Sequence, residues 1–231
     1  MQNFWHGRRF VPLLITQFFG AFNDNLFKNT LMTFVAYKMV IDSQTVSIYS
    51  NIIAGIFILP YFLFSALAGS IADKYDRSKI ARILKITELL LMISAGVVFV
   101  IKSPILLIVI LFLMGMQSTF FGPVKYALLP QHLRTDELIA GNAYIEASTY
   151  ISIILGSILG TMLPVNISIG LLLLCALIGI VASFKIPSMS GAQPRLKISF
   201  NIGRQIKENI CIIKQHTIVF RAIIGATWFW I

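Results

Sequence analysis

The chain has 231 residues, of which 57% are apolar and only 12% charged, with a mean hydropathy of +0.84. A soluble domain carries roughly a quarter charged residues, so this composition excludes a globular enzyme with a single anchor and indicates an all-α, polytopic membrane protein. The formal net charge of +10 does not point to nucleic acid, because the basic residues cluster between hydrophobic stretches.

A membrane span needs about 20 mostly apolar residues. Such stretches run over 11–40, 46–72, 80–101, 104–124, 138–163 and 165–185, and a seventh begins near 217. The apolar stretch after Arg8 and Arg9 is longer than the ~7–15 residues of a signal-peptide core, so it is expected to remain as a helix. Short breaker-rich turns, Lys102-Ser103-Pro104 and Leu163-Pro164-Val165-Asn166, make successive spans antiparallel.

The first span holds the most informative feature, a polar knot in apolar surroundings: Phe18-Phe19-Gly20-Ala21-Phe22-Asn23-Asp24-Asn25-Leu26-Phe27-Lys28-Asn29. Ionisable groups at that depth cost a few kcal/mol and persist where they face a bundle interior or a wet cavity. Asp24 and Lys28 are four apart, share one helix face and can pair. They read as a site for a polar solute or head group, weighed against a self-neutralised packing pair. Phe18, Phe19, Phe22 and Phe27 offer an apolar path, although ordinary packing explains most of them better.

The second span ends in Gly69-Ser70-Ile71-Ala72-Asp73-Lys74-Tyr75-Asp76-Arg77-Ser78-Lys79. This resembles the signature loop of the major facilitator superfamily, which works as a conformational latch. The resemblance assigns that part to Gly69, Asp73, Lys74 and Arg77, with Gly69 allowing close helix approach. Asp76 stands where a glycine is common and Ser78 where a second base is common. The plain alternative is a topogenic basic loop, to which Arg82 and Lys85 also belong. Glu88, in the third span, is similar to Glu146 of the fifth but lies closer to the cytoplasmic rim.

The fourth span ends in Phe120-Phe121-Gly122-Pro123-Val124-Lys125-Tyr126 and continues to Leu129-Pro130-Gln131-His132. Gly122-Pro123 is expected to break or kink the helix, leaving Lys125 to reach an anionic group or snorkel outward. The fifth span carries Gly141-Asn142 and then Glu146, which needs a partner or a proton. Gly156 and Gly160 follow with the spacing of a close-packing face.

Basic residues place the N-terminus and the segment after the sixth span in the cytoplasm, since the opposite loops hold only Lys38 and Lys102. The segment 186–216 reads as a cytoplasmic basic linker with Ile198, Ile202, Ile206, Ile210 and Ile213 at helical spacing, either an amphipathic surface helix or a plain tether. Residues 1–185 then form an N-terminal six-helix bundle and 217–231 open a seventh helix. A facilitator needs two such bundles, so the expected partner is a C-terminal six-helix half, and the chain reads as a fragment of a longer protein or of a degenerate gene.

In combination, Gln17 through Lys28, Phe121-Gly122-Pro123-Val124-Lys125-Tyr126, Leu129-Pro130 and Gly141-Asn142 with Glu146 resemble bacterial lysophospholipid transporters. They are especially similar to the transporter domain fused to an acyltransferase and an acyl-carrier-protein synthetase. The resemblance covers about residues 10–185. It implies inward movement of lysophosphatidylethanolamine or a similar lysolipid across the bacterial inner membrane, with Asp24 and Lys125 at the head group. Lys28 and Glu146 join them on physical grounds, because a zwitterion needs both signs.

A facilitator carrying another small amphipathic or charged solute fits the same features, as does a non-transporting remnant. A membrane acyltransferase with His-x-x-x-x-Asp does not. Val11, Glu137 and Arg221 stand five residues after His6, His132 and His216. The sequence shows no catalytic serine motif, metal cluster or phosphate loop, and no cofactor is implied.

Overall fold

The computed structural model describes residues 9–38, 43–188, 203, 211, 213, 215 and 217–230. Among the described residues seven helices follow in order: α1 (Val11–Lys38), α2 (Ser43–Lys74), α3 (Arg77–Ile101), α4 (Pro104–His132), α5 (Leu138–Met162), α6 (Val165–Phe184) and α7 (Thr217–Trp230). The linker reading of 186–216 falls almost wholly outside the described residues. Among the described residues five helices, α2 to α6, are long and apolar enough to cross a membrane. The 28 residues of α1 extend about 42 Å, ample for a crossing, but its polar knot lowers its hydropathy.

Local chemistry sets the helix boundaries. Asp76 caps α3, its carboxylate accepting from the Ser78 and Lys79 amides at 2.9 and 3.3 Å. This gives the unexpected acid of the loop a structural role. Lys102 closes α3 in the left-handed conformation at φ 59°, and Ser103 caps α4 with Pro104 at its first turn. Pro164 opens α6 directly after α5 has ended.

The largest departure from expectation lies in α4. Gly122-Pro123 does not end it; the helix passes through both Pro123 and Pro130 and stops at His132. Proline inside a span is tolerated because neighbouring helices supply the lost support. The extra two turns place Ser118, Phe121, Gly122 and Lys125 on one helical stripe.

α1 is the hub of the bundle. It packs mainly on α5 and α6 and also touches α2 and α4, while α3 and α4 close against each other and α2 against α4. One apolar cluster joins Phe27, Leu31, Phe34, Phe99, Met114 and Leu172. A second, towards the other end, joins Phe10, Leu13, Phe121, Leu128 and Ile145. Large apolar side chains such as Phe62, Val100, Ile154 and Leu174 stay exposed on the bundle's outside, as a hydrocarbon solvent allows.

The α1–α5 seam depends on two glycines. A Cβ at Gly156 would stand 2.7 Å from the Phe22 carbonyl oxygen, and one at Gly160 2.6 Å from that of Leu26. The expected close-packing face is therefore real, and its partner is the polar stretch of α1. Gly69 behaves otherwise. Nothing among the described residues lies within 4 Å of a Cβ there, so Gly69 does not serve close approach within this bundle.

Gly160→Val should lower stability by about 1–3 kcal/mol through overpacking against α1 backbone. Gly55→Ala, where a Cβ meets open space, should be neutral or slightly stabilising. Thermal unfolding in detergent checks both; equal midpoints for Gly160→Val and wild type would refute the seam.

Candidate functional site

A cavity of about 1040 Å³ opens between α1, α2, α4 and α5, with α3 at its back. Asp24, Asn25 and Lys28 reach it from α1, Phe57 and Tyr61 from α2, Ser118, Lys125 and Tyr126 from α4, and Thr149 from α5. Met32, Ala54, Ile58, Phe121 and Ile153 give it apolar wall. A space of this size with few polar groups is what an amphipathic small molecule requires.

Asp24 is 8% exposed and accepts a hydrogen bond from the Ser118 hydroxyl at 2.6 Å. The expected ion pair with Lys28 is not formed. Lys28 instead donates to Asn25 Oδ1 at 3.2 Å and lies 5.5 Å from the centre of the Phe57 ring. The two side chains share the wall, but each is held by a different neighbour, so their charges remain separately available to a solute.

Lys125 is 9% exposed and turns inward, with its ammonium 4.7 Å from the Tyr126 ring centre. In this conformation it lines the cavity rather than snorkelling outward. Among the described residues it makes no ion pair or hydrogen bond, so a cation faces the cavity uncompensated by direct contact. Glu146 is half-buried on α5 and accepts a hydrogen bond from the Tyr126 hydroxyl. It does not line the cavity itself; it reaches the lumen through Tyr126.

The four phenylalanines of the opening span do not line this space. Phe22 and Phe27 are buried in the core, with Phe27 edge-on to Phe99, and Phe18 stacks on Phe22. The aromatic wall comes instead from Phe57, Tyr61, Phe121 and Tyr126. Helical register explains this: the face carrying Gln17, Ala21, Asp24 and Lys28 looks into the cavity, and the phenylalanines occupy other faces.

Sequence reasoning missed Lys85. Counted among the loop bases, it is 1% exposed and forms a 2.6 Å ion pair with Glu88, which is also 1% exposed. Asn23 Nδ2 donates to Glu88 Oε1 at 2.9 Å and to the Leu172 carbonyl at 3.2 Å. Gln117 Nε2 adds bonds to the Leu84 carbonyl at 3.3 Å and to Glu88 Oε2 at 3.5 Å. Glu88 is thus a residue of the bundle's core. The available signal was the i, i+3 spacing of opposite charges on one helix.

At the α2–α3 turn, Arg77 is 5% exposed and donates to the Ala72 carbonyl at 3.0 Å and the Ala127 carbonyl at 3.4 Å. It also pairs with Asp73 at 3.4 Å. Lys74 stands over the ring of Tyr75, at 5.5 Å. Arg77 consequently ties the turn to α4, while among the described residues Asp73 and Lys74 make no hydrogen bond or ion pair to α4.

A bundle of antiparallel membrane-length helices around a charged internal cavity defines a membrane carrier scaffold. The sequence pattern of the Major Facilitator Superfamily matches residues 13–230, and the chain belongs to that family. It is 30% identical over 230 residues to the lysophospholipid transporter LplT of Photorhabdus laumondii, covering 96% of this chain and 54% of that protein. The LplT proteins of Serratia proteamaculans and Pectobacterium carotovorum are 24% and 28% identical over 227 and 193 residues, covering 96% and 81% of this chain and 54% and 44% of theirs. The chain spans about half the length of the curated relatives it matches.

Glu88→Ala should strand a buried ammonium and cost about 3–5 kcal/mol. Asp73→Ala, whose acid is half in solvent, should cost less than about 1 kcal/mol. Unfolding midpoints in detergent measure the difference, and similar losses for the two variants would contradict the burial assigned to Glu88.

Proposed function

We propose that the chain is the N-terminal half of a secondary transporter that moves a lysophospholipid, such as lysophosphatidylethanolamine, inward across the bacterial inner membrane by alternating access. One observation carries the reading. Asp24 and Lys125, of opposite charge and on different helices, line one cavity whose remaining wall is largely apolar. A zwitterionic head group asks for that pairing: a carboxylate for its ammonium and a lysine for its phosphate. The apolar wall from Met32, Ile58 and Ile153 suits the single acyl chain.

The similarity to proteins named lysophospholipid transporters supports the substrate class. Lys28 adds a second cation on the Asp24 face, and Glu146 acts through Tyr126 by fixing the ring against which Lys125 lies. Residues 1–185 form the first bundle, 186–216 the cytoplasmic connector and 217–231 the opening of the seventh span, with the N-terminus in the cytoplasm. The opposite wall of the path comes from a C-terminal six-helix half. In the turn after α2, Arg77 anchors the latch and leaves Asp73, Lys74 and Gly69 to engage the other half. The relatives' greater length supports this division.

Asp24→Asn and Lys125→Ala should each weaken retention of lysophosphatidylethanolamine by the chain in lipid nanodiscs at least about tenfold, or about 1.4 kcal/mol, with membrane insertion unchanged. Native mass spectrometry of the lipid-bound species reads the loss. Wild-type retention in both variants would remove the head-group site.

A further inference from the structure

We propose that Lys85 is a second phosphate-directed cation of the cavity, reached through the gap left by Gly20 and held in readiness by Glu88. The inference rests on the lysolipid reading above and names a further binding residue for it.

Lys85 belongs to α3, which otherwise stands behind the cavity, yet its side chain contributes to the lining. Gly20 of α1 explains how. Its own position lines the cavity, and a Cβ placed on it would collide with the Lys85 ammonium. Only a residue without a side chain leaves the ammonium that close to the lumen. Gly179 of α6 gives the Lys85 methylenes room from behind, a Cβ there standing 3.4 Å from Lys85 Cδ. The Phe121 ring, 5.2 Å from the ammonium, steadies the charge on the cavity side.

The donor count favours a ligand. An ammonium has three N–H groups, and among the described residues Lys85 places one of them, on Glu88. Glu88 is better provided: Asn23 serves Oε1 and Gln117 serves Oε2. A phosphate oxygen entering beside Gly20 can therefore draw on Lys85 without leaving the carboxylate bare. An ion pair placed only to hold helices together has no need to line the lumen, as Lys85 does. Lys125 on α4 and Lys85 on α3 then address two oxygens of one phosphate, and Asp24 remains for the ammonium.

The test compares two ligands with the same acyl chain, lysophosphatidylethanolamine and the monoacylglycerol that lacks phosphate. Binding is measured on the full chain in nanodiscs. Lys85→Met combined with Glu88→Gln removes both charges together and avoids a stranded ion; Gly20→Ala keeps both and closes the gap with one methyl. Each should weaken lysophosphatidylethanolamine about tenfold and leave monoacylglycerol within about twofold of wild type.

Unchanged discrimination in both variants overturns the proposal, and so does an equal loss of both ligands, which marks a purely structural pair. If the wild-type chain itself fails to distinguish the two ligands, the lysolipid reading falls and this inference falls with it. Discrimination intact in the wild type and in both variants sinks the Lys85 assignment alone.

Discussion

Hydrocarbon does not solvate charge, and that constraint organises the bundle. Each ionisable side chain within the helices must meet a partner, a ring face or a water-accessible space. Lys85 and Glu88 meet each other in the core, where Asn23 and Gln117 complete the carboxylate's bonds. Asp24 meets Ser118, and Lys28 meets Asn25 and the face of Phe57. Because these partners come from α1, α2, α3 and α4, satisfying the charges also fixes how those helices sit together. The pairs add specificity of arrangement beyond what apolar packing provides in a solvent as apolar as the side chains.

The polar chain linking the two sites follows from this. The Ser118 hydroxyl lies 2.6 Å from Asp24 Oδ2 and 3.2 Å from Gln117 Oε1, but it has a single proton to donate. Gln117 in turn touches Glu88. The cavity acid and the core ion pair are thus joined through one hydroxyl and one amide on adjacent residues of α4.

Small residues complete the arrangement. Gly156 and Gly160 let α5 sit on the backbone of α1, which aligns Thr149 and Ile153 with the cavity face of α1. Gly115 does the same for α4, where a Cβ would stand 3.3 Å from the ring of Pro60 in α2. Close backbone approach on two seams brings side chains of four helices around one space, without which Asp24 and Lys125 would belong to separate surfaces.

The sequence alone determined the class of solvent and the order of the helices among the described residues, because hydropathy over some 20 residues is a local property. It also singled out Asp24, since a charge in an apolar run is conspicuous by itself, whereas Lys125 was pointed to by the resemblance to lysophospholipid transporters. It misjudged the end of α4, because a proline's effect depends on whether neighbouring helices support the backbone. It counted Lys85 with the bases in or beside a loop, and it allowed Asp24 a pairing with Lys28, whereas the acid's hydrogen-bond partner is Ser118, 94 residues away. Which face of a helix meets which neighbour, and which side chain lies across from it, is settled by contacts between residues far apart in the chain. Those contacts carry no local signature, so only the tertiary structure decided them.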